Sequence, residues 1–249
     1  MRAIWLIVVL FLSGCSSIHI PEDFTYKEIQ TTIFKLASWQ KMENATAPVK
    51  IYIEGDGAAF NAEGQPTRNP TPKGKLLREI AFGDMSPNVV YLARACQFVD
   101  DDKCVQKYWT TARFAPEVIQ SAYEAIYKIA KGREVILVGF SGGAQVAGLV
   151  AVLHPDVRVK KLISVGGNLD HYEWTEYHNL PSLKDSLNLA DYREKYLMFP
   201  QFHFVGENDT IMPPVLNQNF MEHKNVYVVK GASHGNGWEV VYPQIWNAM

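Results

Sequence analysis

Short apolar runs recur along most of the chain. Residues 49–53, 89–93, 135–140, 162–165, 202–205 and 226–229 are rich in Val, Ile, Leu, Phe and Tyr. Runs of that length predict strands buried on both faces of a parallel sheet. Residues 29–39 alternate more loosely and predict a first strand. Between the strands the period changes. Pro72 stands near the first turn of a helix predicted to run to Phe82. Pro116 opens another, with Val118, Ile119, Ala122, Ile126 and Ile129 on one face and Gly132 at its end. Residues 144–153 predict a nearly all-apolar helix, stopped by His154-Pro155, and a closing helix is expected from Trp238 or a few residues later. Residues 61–71 read as a loop, and residues 170–199, polar and rich in aromatics, as a short insertion over the sheet ahead of the next strand. Strands alternating with helices predict an α/β fold, a mostly parallel central sheet with helices on both faces.

Composition adds bounds. The 249 residues are 47% hydrophobic, enough for one large core, and the formal charge of −2 argues against nucleic acid as a partner. No repeat or low-complexity tract breaks the chain. One α/β domain over residues 27–249 is expected.

The N-terminus has a different character. Arg2 precedes an apolar run from Ala3 to Leu12, and Leu12-Ser13-Gly14-Cys15 follows. The run is short for a bilayer span and reads as an export signal. Its ending resembles the lipobox of bacterial lipoproteins. That resemblance implies cleavage after residue 14, acyl chains on Cys15, a tether over residues 15–26 and a lipid anchor in the membrane. Ser16 after the lipidated cysteine points to the outer membrane, on the periplasmic side. Export also places Cys96 and Cys104 in an oxidising compartment, where a pair so close in sequence is expected to be bridged, with two free thiols as the alternative.

Sites in such sheets lie beyond the carboxyl ends of the strands. Those ends carry Gly55-Asp56-Gly57, Ser141, Asn168 with Asp170, Asp209 and His234. Ser141 sits in Gly139-Phe140-Ser141-Gly142-Gly143, between a predicted strand and a predicted helix. The bland reading of that motif is a tight turn with a serine helix cap. A Ser, then a carboxylate, then a His, each after a strand, resembles the α/β-hydrolase fold and its nucleophile elbow. The resemblance implies Ser141 as nucleophile, His234 as base and Asp209 as the acid that orients it, with Asp170 as the rival acid. It also implies an oxyanion hole from the N–H of Gly142 and that of Asp56, with Gly57 beside it. The family often has His-Gly where this chain has Glu54-Gly55-Asp56-Gly57. A carboxylate there is unfavourable unless paired, so Asp56 is expected to bind Arg94 or Arg113. Gly139 and Gly143 are expected to permit close backbone packing.

The function implied is a serine hydrolase of ester or related acyl bonds, with a small-molecule or lipid ester as substrate and an acyl-enzyme intermediate. A peptidase or thioesterase on the same fold, and a non-catalytic envelope lipoprotein, are the alternatives. The insertion, with His171, Trp174, His178 and its other aromatics, either walls the substrate pocket or packs onto the sheet. No cofactor is implied. No metal is implied either, since Cys96 and Cys104 lack His partners at usable spacing.

Overall fold

The computed structural model describes residues 19–247. Cys15 and the export signal lie outside the described residues. The strands are β1 Thr25–Gln30, β2 Lys35–Met42, β3 Val49–Ile53, β4 Asn88–Leu92, β5 Val135–Phe140, β6 Val159–Val165, β7 Gln201–Gly206 and β8 Val226–Val229. They form a single eight-stranded sheet ordered β1-β2-β4-β3-β5-β6-β7-β8. The pairs β1–β2 and β2–β4 are antiparallel, and every later pair is parallel.

Alternation within the central strands builds two cores. Ile51 and Ile53 face one side, against Val118, Ile126, Val146 and Val150 of α2 Pro116–Ala130 and α3 Gly142–Leu153. Tyr52 faces the other, against Leu77 and Ile80 of α1 Leu76–Phe82 and against Trp238 and Ile245. Both faces are covered, which is why these strands carry so few polar residues. The remaining helices are α4 His171–Tyr177, α5 Arg193–Tyr196, α6 Pro214–Phe220 and α7 Tyr242–Trp246.

Three expectations are corrected. The single strand over 29–39 is the hairpin β1–β2, because the Thr31 hydroxyl donates to the Phe34 carbonyl at 2.6 Å and closes a turn. The domain begins before residue 27: Phe24 is buried and packs on Phe82, with ring centroids 4.9 Å apart. The first helix starts at Leu76 rather than at residue 72. Asn69 accepts from the Thr71 N–H and the Thr71 hydroxyl accepts from the Phe98 N–H, so this segment is held as loop. Among the described residues, no helix is long and apolar enough to cross a membrane. Cys96 and Cys104 form a disulfide.

Candidate active site

Ser141 occupies the sharp junction of β5 and α3 with φ 51° and ψ −124°. A non-glycine residue there is strained, and such strain persists only where the surroundings over-determine it. Here they do. The Ser141 N–H donates to Val165 O at 3.1 Å, and its carbonyl accepts from Ala144 N at 3.1 Å and Asn168 N at 2.9 Å. The serine side chain makes no helix-capping hydrogen bond, which removes the bland reading of the motif. A Cβ on Gly139 would lie 2.4 Å from the Ala144 backbone, and one on Gly143 would lie 2.1 Å from Ile53 O. The glycines are therefore a steric requirement of the elbow, as expected.

His234 follows β8 and Asp209 follows β7. The Asp209 carboxylate is fully buried and the His234 ring is 22% exposed. Asp209 Oδ2 lies 2.8 Å from His234 Nδ1, while Oδ1 accepts from Ile211 N at 2.9 Å and Met212 N at 2.8 Å. The contact fits an imidazole whose Nδ1–H donates to the carboxylate, the tautomer that presents Nε2 as an acceptor. The His234 ring packs on Phe140, the residue before Ser141, with centroids 5.0 Å apart. Asp170 is engaged elsewhere. It caps α4 through the Tyr172 and Glu173 N–H groups and accepts from Asn188.

The loop after β3 lies against the elbow. A Cβ on Gly55 would meet Ser141 Cβ at 3.0 Å. Asp56 Oδ1 is packed so tightly on Gly142 that a Cβ there would approach it to 2.3 Å. The Asp56 and Gly57 N–H groups have no hydrogen-bond partner among the described residues. The expected pairing of Asp56 is present twice over. Arg94 donates to Oδ1, and Arg113 donates to Oδ2 at 2.5 Å. Burial alone would raise the carboxyl pKa, but the Arg113 and Arg94 guanidiniums outweigh it and hold the group below its ordinary value. Glu54 behaves in the opposite way. Burial pushes its pKa up, against hydrogen bonds from the Tyr91 hydroxyl at 2.7 Å and the Gly55 N–H at 2.9 Å.

Ser141, His234, Asp56 and Gly57 all line one cleft of about 540 Å³. Phe60, Leu76, Leu77 and Met212 give it an apolar wall, and Lys73 and Arg113 add positive charge. From the insertion only Trp174 reaches it; Arg113 stacks between Trp174 and Phe60, 5.9 and 5.4 Å from the ring centres. His171 is buried on Phe114, and His178 contacts Ile211 O, so neither lines the cleft. Leu183 and Tyr196 belong to the core. The insertion thus gives Trp174 to the cleft and Leu183 and Tyr196 to the core, and leaves Tyr172 and Tyr177 exposed. Asn168 reaches the cleft with a buried side-chain oxygen that has no partner among the described residues. Among the described residues, no cluster of His, Cys, Asp and Glu is placed to hold a metal ion.

Comparison with known proteins agrees with this architecture. Solved structures superpose over most of the chain. An esterase of Pyrococcus furiosus matches 90% of this chain and 87% of its own at 18% identity, with a TM-score of 0.59. Est1E of Butyrivibrio proteoclasticus matches 89% and 96% at 15% identity, TM-score 0.61. The α/β hydrolase GrgF of a Penicillium species matches 89% and 96% at 15% identity, TM-score 0.63. These likenesses establish the α/β-hydrolase fold. A search of curated protein sequences returned no match. A family profile described as serine hydrolase (FSH1) matches residues 97–236, more than half of the chain and the stretch that holds Ser141, Asp209 and His234. The chain is a hydrolase on the α/β-hydrolase fold and belongs to the FSH1 serine hydrolase family.

Proposed function

We propose that the protein hydrolyses esters through Ser141, His234 and Asp209 by way of an acyl-enzyme. The observation that carries this reading is the 2.8 Å contact of His234 with a fully buried Asp209, beside a serine held at an elbow in the same cleft. Ser141 Oγ attacks the ester carbonyl and passes its proton to His234 Nε2. The new oxyanion accepts from the N–H groups of Gly142 and Asp56, with Gly57 adjacent. Collapse breaks the bond to the alcohol, which leaves with the proton from His234. Water then gives its proton to His234 and attacks the acyl-enzyme, and Ser141 recovers its proton as the acid departs. Asp209 stabilises the imidazolium throughout and stays ionised.

A fluorophosphonate probe is expected to label the wild type and not Ser141→Ala. Asp209→Asn is expected to lower kcat by about 10⁴-fold, because the imidazole then adopts the wrong tautomer. A wild type that takes no label sinks the catalytic reading and favours a non-catalytic role.

The same proposal places the enzyme at the cell envelope. The lipobox-like Leu12-Ser13-Gly14-Cys15 supports acylation of Cys15. Several chains on one residue anchor stably where a single chain does not. In a Gram-negative host fed radiolabelled palmitate, the wild type should take up label and sediment with membranes, and Cys15→Ser should take up none. Equal labelling of the two would defeat the anchor.

A further inference from the structure

Gln97 stands in the loop after β4, beside the Cys96–Cys104 disulfide, and is only 2% exposed. Its Oε1 accepts from Arg94 N at 3.1 Å, and its Nε2 donates to Gly55 O at 2.9 Å. The second bond has a consequence one residue away. Gly55 C=O and Asp56 N–H belong to a single peptide group. That group is planar and trans, so its C=O and N–H point in opposite directions. A donor fixed on the carbonyl therefore fixes where the N–H points. The neighbouring peptide is fixed as well, since Gly55 N donates to Glu54 Oε1 at 2.9 Å. Glycine resists a peptide flip less than any other residue, so these hydrogen bonds supply what its missing side chain does not.

The loop is built to aim Gln97. Both flanking residues are non-glycines in left-handed conformation, Cys96 at φ 71° and Phe98 at φ 60°. Each is tied down, Cys96 by its disulfide and Phe98 by its N–H on the Thr71 hydroxyl at 2.8 Å and its ring on Trp39. Strain of this kind is kept where the surroundings impose it.

We infer that Gln97 is a positioning residue for ester hydrolysis: it holds the Gly55–Asp56 peptide so that the Asp56 N–H is preset as the second oxyanion donor. The inference rests on the proposed roles of Ser141 and Asp56.

The test uses full-length protein with 4-nitrophenyl acetate. Gln97→Glu keeps the shape and the acceptor for Arg94 but loses the donor to Gly55; Gln97→Leu loses both. Removing an oxyanion donor outright costs about 10²–10³ in kcat, so a misaimed one is expected to cost about 10–100-fold. KM should move by less than about threefold, because the lost interaction is made only in the transition state. A protonated carboxyl can donate again. The ratio of Gln97→Glu to wild-type kcat should therefore rise as pH falls from 8 to 5.5, while the Gln97→Leu ratio stays flat. The substituted carboxyl would share its surroundings with Asp56 and Arg94, with Glu54 on the other side of Gly55. Unchanged kcat in both variants, or losses that only follow the unfolded fraction, overturns the role of Gln97. Should Gln97→Leu fail to fold, the pH-dependent recovery of Gln97→Glu decides alone, its absence counting against. Fluorophosphonate labelling run in parallel separates the two levels. A wild type labelled at Ser141 with insensitive Gln97 variants removes Gln97 only, and a wild type without label removes both.

Discussion

Asp56 brings a carboxylate beside Gly142, where the proposed mechanism develops negative charge. Left alone it would oppose the reaction. Bound by Arg94 and Arg113 it does not, because two cations and one anion leave the cluster positive. The same pairing stabilises the fold. The depressed pKa of Asp56 means that its contribution is complete above the ordinary carboxylate pKa and is lost only as pH falls through the lower folded value. Asp56→Asn keeps the shape and leaves two buried guanidiniums facing a neutral amide. Breaking such a pair costs about 3–5 kcal/mol, and the Asp56 side chain is a quarter exposed, so about 3 kcal/mol is expected at pH 7. Urea titration should show that gap closing well below pH 4, and kcat should fall as the loop loses its anchor on the elbow. Full stability of the variant at pH 7 would mean that the pairing is energetically idle.

At the scale of elements, the parallel strands and the residues at their ends were legible, because both depend on local pattern. Val135–Phe140 is apolar since both faces are covered, and its Gly-flanked serine marks where the strand must turn. The hairpin β1–β2 was not legible. Its turn is made by a Thr31 side chain rather than by Gly, Pro or Asn, and threonine reads equally well as strand. Gln97 was invisible for a related reason: its loop relies on left-handed Cys96 and Phe98, and no residue type announces that. The composition of the insertion fits pocket wall and packing alike, and the structure divides them: Trp174 reaches the cleft and Tyr196 joins the core. Within the sheet, β6 and β7 hold a buried polar pair. His203 is paired in register with Ser164; its Nε2–H donates to Gln201 Oε1 at 3.0 Å, and its Nδ1 accepts from the Ser164 hydroxyl at 2.8 Å. Burial lowers the His203 pKa to about 3. The folded state thus keeps the ring neutral while the unfolded chain protonates near pH 6.5, so stability declines as pH falls below that value, by up to about 1.4 kcal/mol per unit. His203→Gln should flatten this slope between pH 6.5 and 4 in urea titrations. His171, whose pKa burial also lowers, should retain a share of the same sign.

Across the whole molecule, the two cores hold the sheet, while the catalytic face depends on loops that cross it. The Cys96–Cys104 bridge sits in one of these loops, eight residues apart in sequence. So short a closure constrains the unfolded chain modestly, by roughly 2–3 kcal/mol in the chain-entropy description. For a chain of this length each kcal/mol moves the midpoint by about 2–4 °C, so Cys96→Ser with Cys104→Ser should lower Tm by about 5–10 °C and leave the fold in place. The loop also carries Arg94 and Gln97 to the Gly55–Asp56 segment. A purely thermal role predicts an unchanged kcat at temperatures where the double variant is fully folded. A loop that aims Gln97 predicts a lower kcat there, with KM nearly constant. Circular dichroism and steady-state kinetics on the same preparation, well below the lowered midpoint, separate these outcomes. Loss of kcat without unfolding would place the bridge in the service of the oxyanion loop, and loss of Tm alone would confine it to stability.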